Sequence, residues 1–341
     1  MGKTRQYPKV AIVVVAYNNK NIIDESLQSI QNLLYSNYDC ILVDDCSNDG
    51  TCEYVTSKYP WVKVISKKEN TGPAVSRNIA IMASDSKYIA FLDSDVVLDK
   101  QWLSECVRAM EQDKQIGICG SKLVDAYNPN VLNEAGGTLL KIGLGMDRGA
   151  GESISKFDKK ERLFFIGSAA IVTRRDVLAI IENFDESYYF GYQDVDLCWR
   201  TNLIGYKVVY NPDAVAYHKC HATVKKMGCK IFHHNLRNSI KTMIKNYEVQ
   251  NLVIYIPLAF LVSLSDIIIL NECRKAKIGA WLWNIKNIKE TLKTRRSIQK
   301  IRIVRDSQIM EYFENNSYLF TMIKNRMRRK YKKKPIESGI L

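Results

Sequence analysis

Four short apolar runs, each closed by a polar turn and followed by a segment of helical spacing, constrain this chain more than any other feature. Val10-Ala11-Ile12-Val13-Val14-Val15 comes first, followed by runs at 40–43, 62–65 and 88–92. The runs at 10–15, 40–43 and 88–92 are apolar throughout, as in strands covered on both faces, whereas 62–65 is interrupted by Lys63. Between the first two, segment 21–34 places Ile22, Ile23, Leu27, Ile30, Leu33 and Leu34 near helical spacing. Helices are also expected at 52–59 and from Pro73 to about 82. Strand and helix therefore alternate, which predicts an α/β fold with a mostly parallel, doubly wound sheet that binds its ligand at the strands' carboxyl ends.

The loops at those ends carry the informative residues. Ala16-Tyr17-Asn18 closes the first strand, and Asp44-Asp45 opens a polar turn, Cys46-Ser47-Asn48-Asp49-Gly50-Thr51, after the second. A carboxylate there can accept from a nucleobase imide or from ribose hydroxyls, and it can equally cap the following helix. Gly72-Pro73 starts the third helix, whose free N–H groups, with Arg77, offer an anion cradle. The fourth strand delivers Asp93-Ser94-Asp95. Two carboxylates one residue apart suit a hard divalent cation that also holds phosphate oxygens, although the same tripeptide serves as ordinary turn chemistry.

Taken in order, Val43-Asp44-Asp45-Cys46-Ser47-Asn48-Asp49-Gly50-Thr51, then Asn70-Thr71-Gly72 with Ser76-Arg77-Asn78, then Phe91-Leu92-Asp93-Ser94-Asp95 resemble the successive signatures of family 2 nucleotide-sugar glycosyltransferases of the GT-A fold. Phe165-Ile166-Gly167-Ser168, Phe184-Asp185-Glu186 and Gly191-Tyr192-Gln193-Asp194-Val195-Asp196-Leu197-Cys198-Trp199-Arg200 are similar to that family's acceptor-side segment, in its rhamnosyltransferase-like branch. Gly205-Tyr206-Lys207 and Ala216-Tyr217-His218 extend the likeness, which covers 8 to about 245.

The resemblance implies a metal-dependent, inverting transfer of a sugar from a nucleotide-diphosphate donor. Asp194 would be the base, Asp93, Asp95 and His218 the ligands of Mg²⁺ or Mn²⁺, and Ala16, Tyr17, Asn18, Asp44, Asp45, Gly72, Arg77, Asp93 and Ser94 the nucleotide contacts. Gly167, Ser168, Gln193 and Trp199 would face the acceptor. Gln193 departs from the pattern, since Glu is usual there, and its neutrality removes a charge that would raise the pKa of Asp194. The glycine-rich segments Gly136-Gly137 and 143–151 read as a mobile connection.

Charge divides the chain. Residues 225–341 hold 25 Lys/Arg against 8 Asp/Glu, a balance of +17, so with +14 overall residues 1–224 carry −3. This asymmetry predicts a near-neutral catalytic domain over 1–224, with a nucleotide half at 8–100 and an acceptor half at 101–224, followed by a basic helical region at 225–341. Within that region 252–270 is apolar over 19 residues, close to the ~20 needed to cross a bilayer. A single span would separate the catalytic domain from the 19 Lys/Arg beyond residue 270, so a re-entrant hairpin or in-plane helix is expected. Trp281 and Trp283, with Arg295, Arg296, Arg302 and Arg305, suit an anionic membrane interface, and Lys324 to Lys334 forms a further basic cluster that suits either a membrane or a solvated tail.

Nine cysteines without a CxxC pair point to reduced thiols, and the spacing of Cys220, His221, Cys229, His233 and His234 fits no familiar zinc pattern. No aromatic stacking platform accompanies the basic cluster, so no nucleic-acid partner is expected. The expected partners are a nucleotide sugar, a lipid-linked or membrane-bound saccharide and the cytoplasmic face of the cell membrane, with peripheral or monotopic attachment. A polyprenyl-phosphate glycosyl synthase is the nearest alternative, and a non-catalytic nucleotide-binding scaffold at the membrane is another.

Overall fold

The computed structural model describes residues 7–219, 228–269 and 273–314. The first half alternates as the apolar runs require: β1 (Val10–Ala16), α1 (Ile23–Gln31), β2 (Tyr38–Asp44), α2 (Thr51–Lys58), β3 (Val62–Ser66), α3 (Pro73–Met82) and β4 (Tyr88–Asp93). β5 (Val96–Leu98), α4 (Trp102–Gln112), β6 (Ile116–Asp125) and β7 (Asn128–Glu134) follow, then a hairpin of β8 (Gly137–Leu139) and β9 (Gly145–Asp147). β10 (Glu161–Leu163), β11 (Ala170–Arg174), α5 (Arg175–Ile180), α6 (Gln193–Leu203) and β12 (Lys207–His218) complete the sheet-bearing part.

Among the described residues one sheet of ten strands runs β10-β12-β6-β11-β4-β1-β2-β3, with β5 on β12 and β7 on β6. The first half, β3-β2-β1-β4, is parallel throughout. β11 lies antiparallel to both β4 and β6 and joins the second half to the first. Successive residues of β1 point to opposite faces, Ala11 and Val13 into one apolar cluster and Val10, Ile12 and Val14 into the other, all fully buried. Each such Val or Ile contributes about 1.5–3 kcal/mol when removed from water, which explains runs without polar alternation.

Four longer helices end the described chain: α7 (Cys229–Asn246), α8 (Val249–Ile269), α9 (Arg274–Lys286) and α10 (Ile288–Ile301), before a short α11 (Asp306–Ile309). They dock on the second half of the sheet-bearing part. Lys245 of α7, fully buried, pairs with Asp185 at 2.5 Å and Asp196 at 2.9 Å. Tyr247 and Phe313 stack against Trp199, with ring centroids 4.7 and 5.7 Å away, in the same apolar cluster as Phe164.

Several expectations are corrected here. Cys229 and Cys273 form a disulfide with a Cα separation of 5.3 Å, where reduced thiols were expected. The pair is 44 residues apart in sequence and meets only because α9 folds back onto α7, which no local spacing announces. The apolar stretch is one helix, continuous through Pro257, and no re-entrant hairpin lies within its described residues. Arg295 and Arg302 turn inward, donating to the carbonyls of Ile244 and Tyr247 and of Asn246, and so close the end of α7. Trp281 meets Ser263 at 3.1 Å and Trp283 lies under Arg237 at 4.5 Å, both between helices. The basic cluster at 324–334 and Cys220 and His221 lie outside the described residues.

Candidate active site

The parallel register sets the site. Ala16 pairs with Asp44 and Val15 with Asp93, so the ends of β1, β2 and β4 lie along one edge. Tyr17 projects from it and is 48% exposed. Asn18 takes a left-handed backbone (φ 54°), accepts from the N–H of Asn48 at 2.9 Å and donates its own N–H to Ser47 Oγ, tying the first two loops together. Asp44 is buried; one oxygen accepts from Ser47 N–H at 3.1 Å and the other has no partner among the described residues.

Asp45 is engaged otherwise. It pairs with Lys67 and accepts from the N–H groups of Thr71 (3.2 Å) and Gly72 (2.9 Å), so it clamps the third loop onto the second. Gly72 has φ +87°, and a Cβ there would fall 2.6 Å from the carbonyl oxygen of Tyr189, a contact only glycine permits. Arg77, on the buried face of α3, donates to Asp93 at 2.9 Å, while its second terminal nitrogen, Nη1, is shut from solvent and unpartnered among the described residues.

The carboxylates of Asp93 and Asp95 converge with the ring of His218, each offering an atom within 4.8 Å of the others. This meeting depends on β5. Directly after Asp95 it pairs antiparallel with β12 and places Val96 opposite His218. His218 Nε2 then lies 3.4 Å from Asp95, and Nδ1 lies 2.9 Å from Asn133 Oδ1 at the end of β7. Burial pushes the Asp93 carboxyl above its ordinary value against the pull of Arg77. Burial acts on Asp95 too, but the hydrogen bond and charge of His218 outweigh it and hold that carboxyl low. Two hard oxygens and one imidazole nitrogen form a donor set that fits Mg²⁺ or Mn²⁺.

Asp194 stands in the first turn of α6, just after Gly191 and Tyr192, both with left-handed backbones (φ 72° and 64°). Asn238 of α7 fixes that turn by donating to the carbonyls of Phe190 (2.7 Å) and Gly191 (2.9 Å). Burial raises the pKa of Asp194; the Val195 N–H and Arg77 oppose the rise and the charge of Asp147 adds to it. Asp147 ends β9, and Glu134, which ends β7, is pushed up to about 8, first by burial and then by Asp147. The neutral Gln193 thus leaves Asp194 with acidic neighbours supplied from other strands. The side-chain oxygen of Gln193 has no partner among the described residues.

Of the residues expected to face an acceptor, Gly167 lies against Glu134, donating its N–H at 2.8 Å, and Ser168 is buried beside it. Trp199 does not face the cleft. It is 1% exposed, packed edge-on against Phe164 and Tyr247, because α6 turns its 199 position into the core. Glu134, Asp147 and Asn133 were not anticipated; they belong to no motif, and the segment expected to be a mobile connection is the β8–β9 hairpin, held by Tyr192, whose hydroxyl donates to Gly143 O (2.9 Å) and accepts from Gly145 N–H (3.1 Å).

Residues 11–179 match the family model described as glycosyl transferase family 2. The amylovoran biosynthesis glycosyltransferase AmsB of Erwinia amylovora is 32% identical over 219 residues, which is 61% of this chain and 69% of that protein. The chain spans 37% to 42% of the length of several other curated relatives, including the pre-mycofactocin glycosyltransferase of Mycobacterium tuberculosis, which is 28% identical over 216 residues, 61% of this chain. Among solved structures, the mannosyltransferase PcManGT from Pyrobaculum calidifontis, in complex with GDP-Man and Mn²⁺, aligns over 98% of this chain and 89% of its own with a TM-score of 0.56 and 15% identity. GalNAc-T7, with UDP, GalNAc and Mn²⁺, aligns over 85% of this chain and 58% of its own with a TM-score of 0.61 and 13% identity. At those identities the likeness concerns the fold, which is GT-A.

Proposed function

The chain belongs to family 2 of the glycosyltransferases, and from that premise we propose that it transfers a sugar, with inversion, from a nucleotide-diphosphate donor to a hydroxyl of a membrane-associated saccharide. The observation that carries this reading is the convergence of Asp93, Asp95 and His218 at the edge that also presents Asp194, with Arg77 acting on Asp93 and Asp194 alike.

The donor's base and ribose would lie along Tyr17, Asn18 and Asp44, and its diphosphate near Arg77 and the start of α3. Asp93, Asp95 and His218 would hold Mn²⁺ or Mg²⁺, which when bound would neutralise charge on the departing diphosphate. Asp194 would take the acceptor hydroxyl's proton as that oxygen bonds to the anomeric carbon. The bond from that carbon to the diphosphate oxygen breaks, and its electron pair leaves with the phosphate. A raised pKa suits this role, because a more basic carboxylate accepts a proton more readily. A polyprenyl-phosphate acceptor would arrive already ionised and would need no such base.

Donor and metal classes are supported by the complexes of the two structural neighbours, and a saccharide acceptor by the polysaccharide role in the name of AmsB. Membrane attachment is supported by α8. Its 249–268 stretch has mean hydropathy 1.9 and is mostly unburied, with Val253, Ile254, Leu261, Leu264 and Ile268 exposed. α8 starts three residues after α7 ends, and Cys273, four residues beyond the end of α8, is bonded to Cys229 at the start of α7, so the chain on both sides of α8 is tied to one 18-residue helix. That geometry favours a helix lying in the membrane interface over one that spans the membrane.

Thermal denaturation with UDP, GDP, dTDP or CDP, with and without Mn²⁺, tests the donor site: one nucleotide is expected to raise Tm only with metal. A folded protein that none of the four stabilises would refute it. Flotation with anionic lipid vesicles tests attachment; a protein that stays in the dense fraction at low salt would refute the membrane reading.

A further inference from the structure

Beyond the β8–β9 hairpin lies a cavity of roughly 530 Å³, lined by none of Asp93, Asp95, His218 and Asp194. Its volume falls within the ~300–1,000 Å³ typical of small-molecule sites. Four carboxylates line it, those of Asp147, Glu152, Glu311 and Glu314, of which Glu152 is bonded by Lys156 at 3.1 Å, together with the guanidinium groups of Arg148 and Arg162. Arg148 is spent on Glu161 (2.6 Å) and on the carbonyl of Ala135. Arg162 is not. Its guanidinium lies over the ring of Tyr312 at 4.5 Å, and its Nε, shut off from solvent, bonds nothing among the described residues.

We infer that this cavity is a saccharide subsite, holding a neutral sugar unit of the acceptor adjacent to the one whose hydroxyl meets Asp194. The inference rests on the glycosyl-transfer reading and names the part of the acceptor that lies away from the reaction. Carboxylates only accept hydrogen bonds and a guanidinium only donates them. A ligand that satisfies both within one small chamber must carry groups that do both, and hydroxyls do. A uronate or phosphate would confront the carboxylates of Asp147 and Glu311, and a polyamine would confront Arg162. Asp147 links the chamber to the chemistry, since it lines the cavity while its charge bears on Asp194 and Glu134. The link is held in place, because Tyr192, two residues before Asp194, bonds both Gly143 and Gly145 of the hairpin.

The test uses the full chain in isothermal titration with neutral trisaccharides of gluco, manno and galacto configuration and with trigalacturonate. At least one neutral trisaccharide is expected to bind, with trigalacturonate silent. Arg162→Gln and, independently, the more exposed Glu311→Gln should weaken that binding by about ten- to a hundredfold, the cost of one charge-assisted hydrogen bond. No binding of any neutral trisaccharide, unchanged affinity in both variants, or tighter binding of trigalacturonate would overturn the proposal. Thermal shift with Mn²⁺ and nucleotide on the same samples reports the donor site separately, so failure of the transfer reading and failure of this subsite give different patterns.

Discussion

Asp194 and Asp196 sit two residues apart on one helical turn, and replacing each by Asn should separate chemistry from stability. Asp196 is fully buried. One oxygen accepts from Arg200 Nε at 2.8 Å with Nη2 at the same distance; the other pairs with Lys245 at 2.9 Å and accepts from Asn246 at 3.1 Å. Burial alone would raise its pKa, but Arg200 and Lys245 outweigh it and hold the carboxyl low, so the charged form is favoured by the fold. Asn at 196 keeps the shape, removes the charge and turns an amide N–H₂ toward two buried cations, a loss of about 3–5 kcal/mol. With an unfolding entropy of about 2.1 cal/mol/K per residue, the 341-residue chain loses roughly 0.7 kcal/mol per kelvin near Tm, so Tm should fall by about 4–7 °C. Asp194→Asn removes a carboxyl whose charged form burial disfavours, so Tm should hold or rise slightly while transfer is lost. Differential scanning calorimetry of both variants reads the contrast. A fall below 1 °C for Asp196→Asn, or an equal fall for both, would refute the assignment of one carboxylate to the core and the other to the cleft.

Two further outcomes follow from the site. The Asp147 charge raises the Asp194 pKa, so Asp147→Asn should lower it, keep the base ionised in more acidic solution and move the acid limb of the kcat/KM profile to lower pH; an unmoved limb would argue against Asp194 as the titrating base. Asn133→Ala removes the partner of His218 Nδ1 and should weaken Mn²⁺ binding about 10–100-fold, read by electron paramagnetic resonance of free Mn²⁺, with wild-type affinity counting against His218 as a ligand.

How much of this was legible in the chain differs by residue. β1 to β4 and the placement of Asp44, Asp93 and Asp95 at one edge followed from apolar runs and turns, because in a parallel sheet the local pattern decides which residues reach the carboxyl ends. The expectation for His218 came from a resemblance, and what joins it to Asp95 is the three-residue β5, too short to show periodicity. Glu134 and Asp147 were illegible for a related reason: each ends a strand of the second half, and their proximity to Asp194 arises from pairing across β6 and from the grip of Tyr192 on the hairpin. Trp199 was assigned to the acceptor by the resemblance, which does not register that it lies five residues beyond Asp194 on α6. Five residues along a helix reverse the facing, and the aromatic partners that claim Trp199, Tyr247 and Phe313, arrive only with the C-terminal helices.

The antiparallel strand β11 has a mechanical consequence. By bonding to β4 on one side and β6 on the other, it makes the two halves a single hydrogen-bonded plate rather than two lobes on a hinge. Rotating one half against the other would tear a ladder at the centre of the molecule, so substrates must be admitted by smaller parts. The strand-end loops and the β8–β9 hairpin are the pieces able to shift without breaking the plate, and the loop ties made by Asp45 and Tyr192 become the latches that set how far they open.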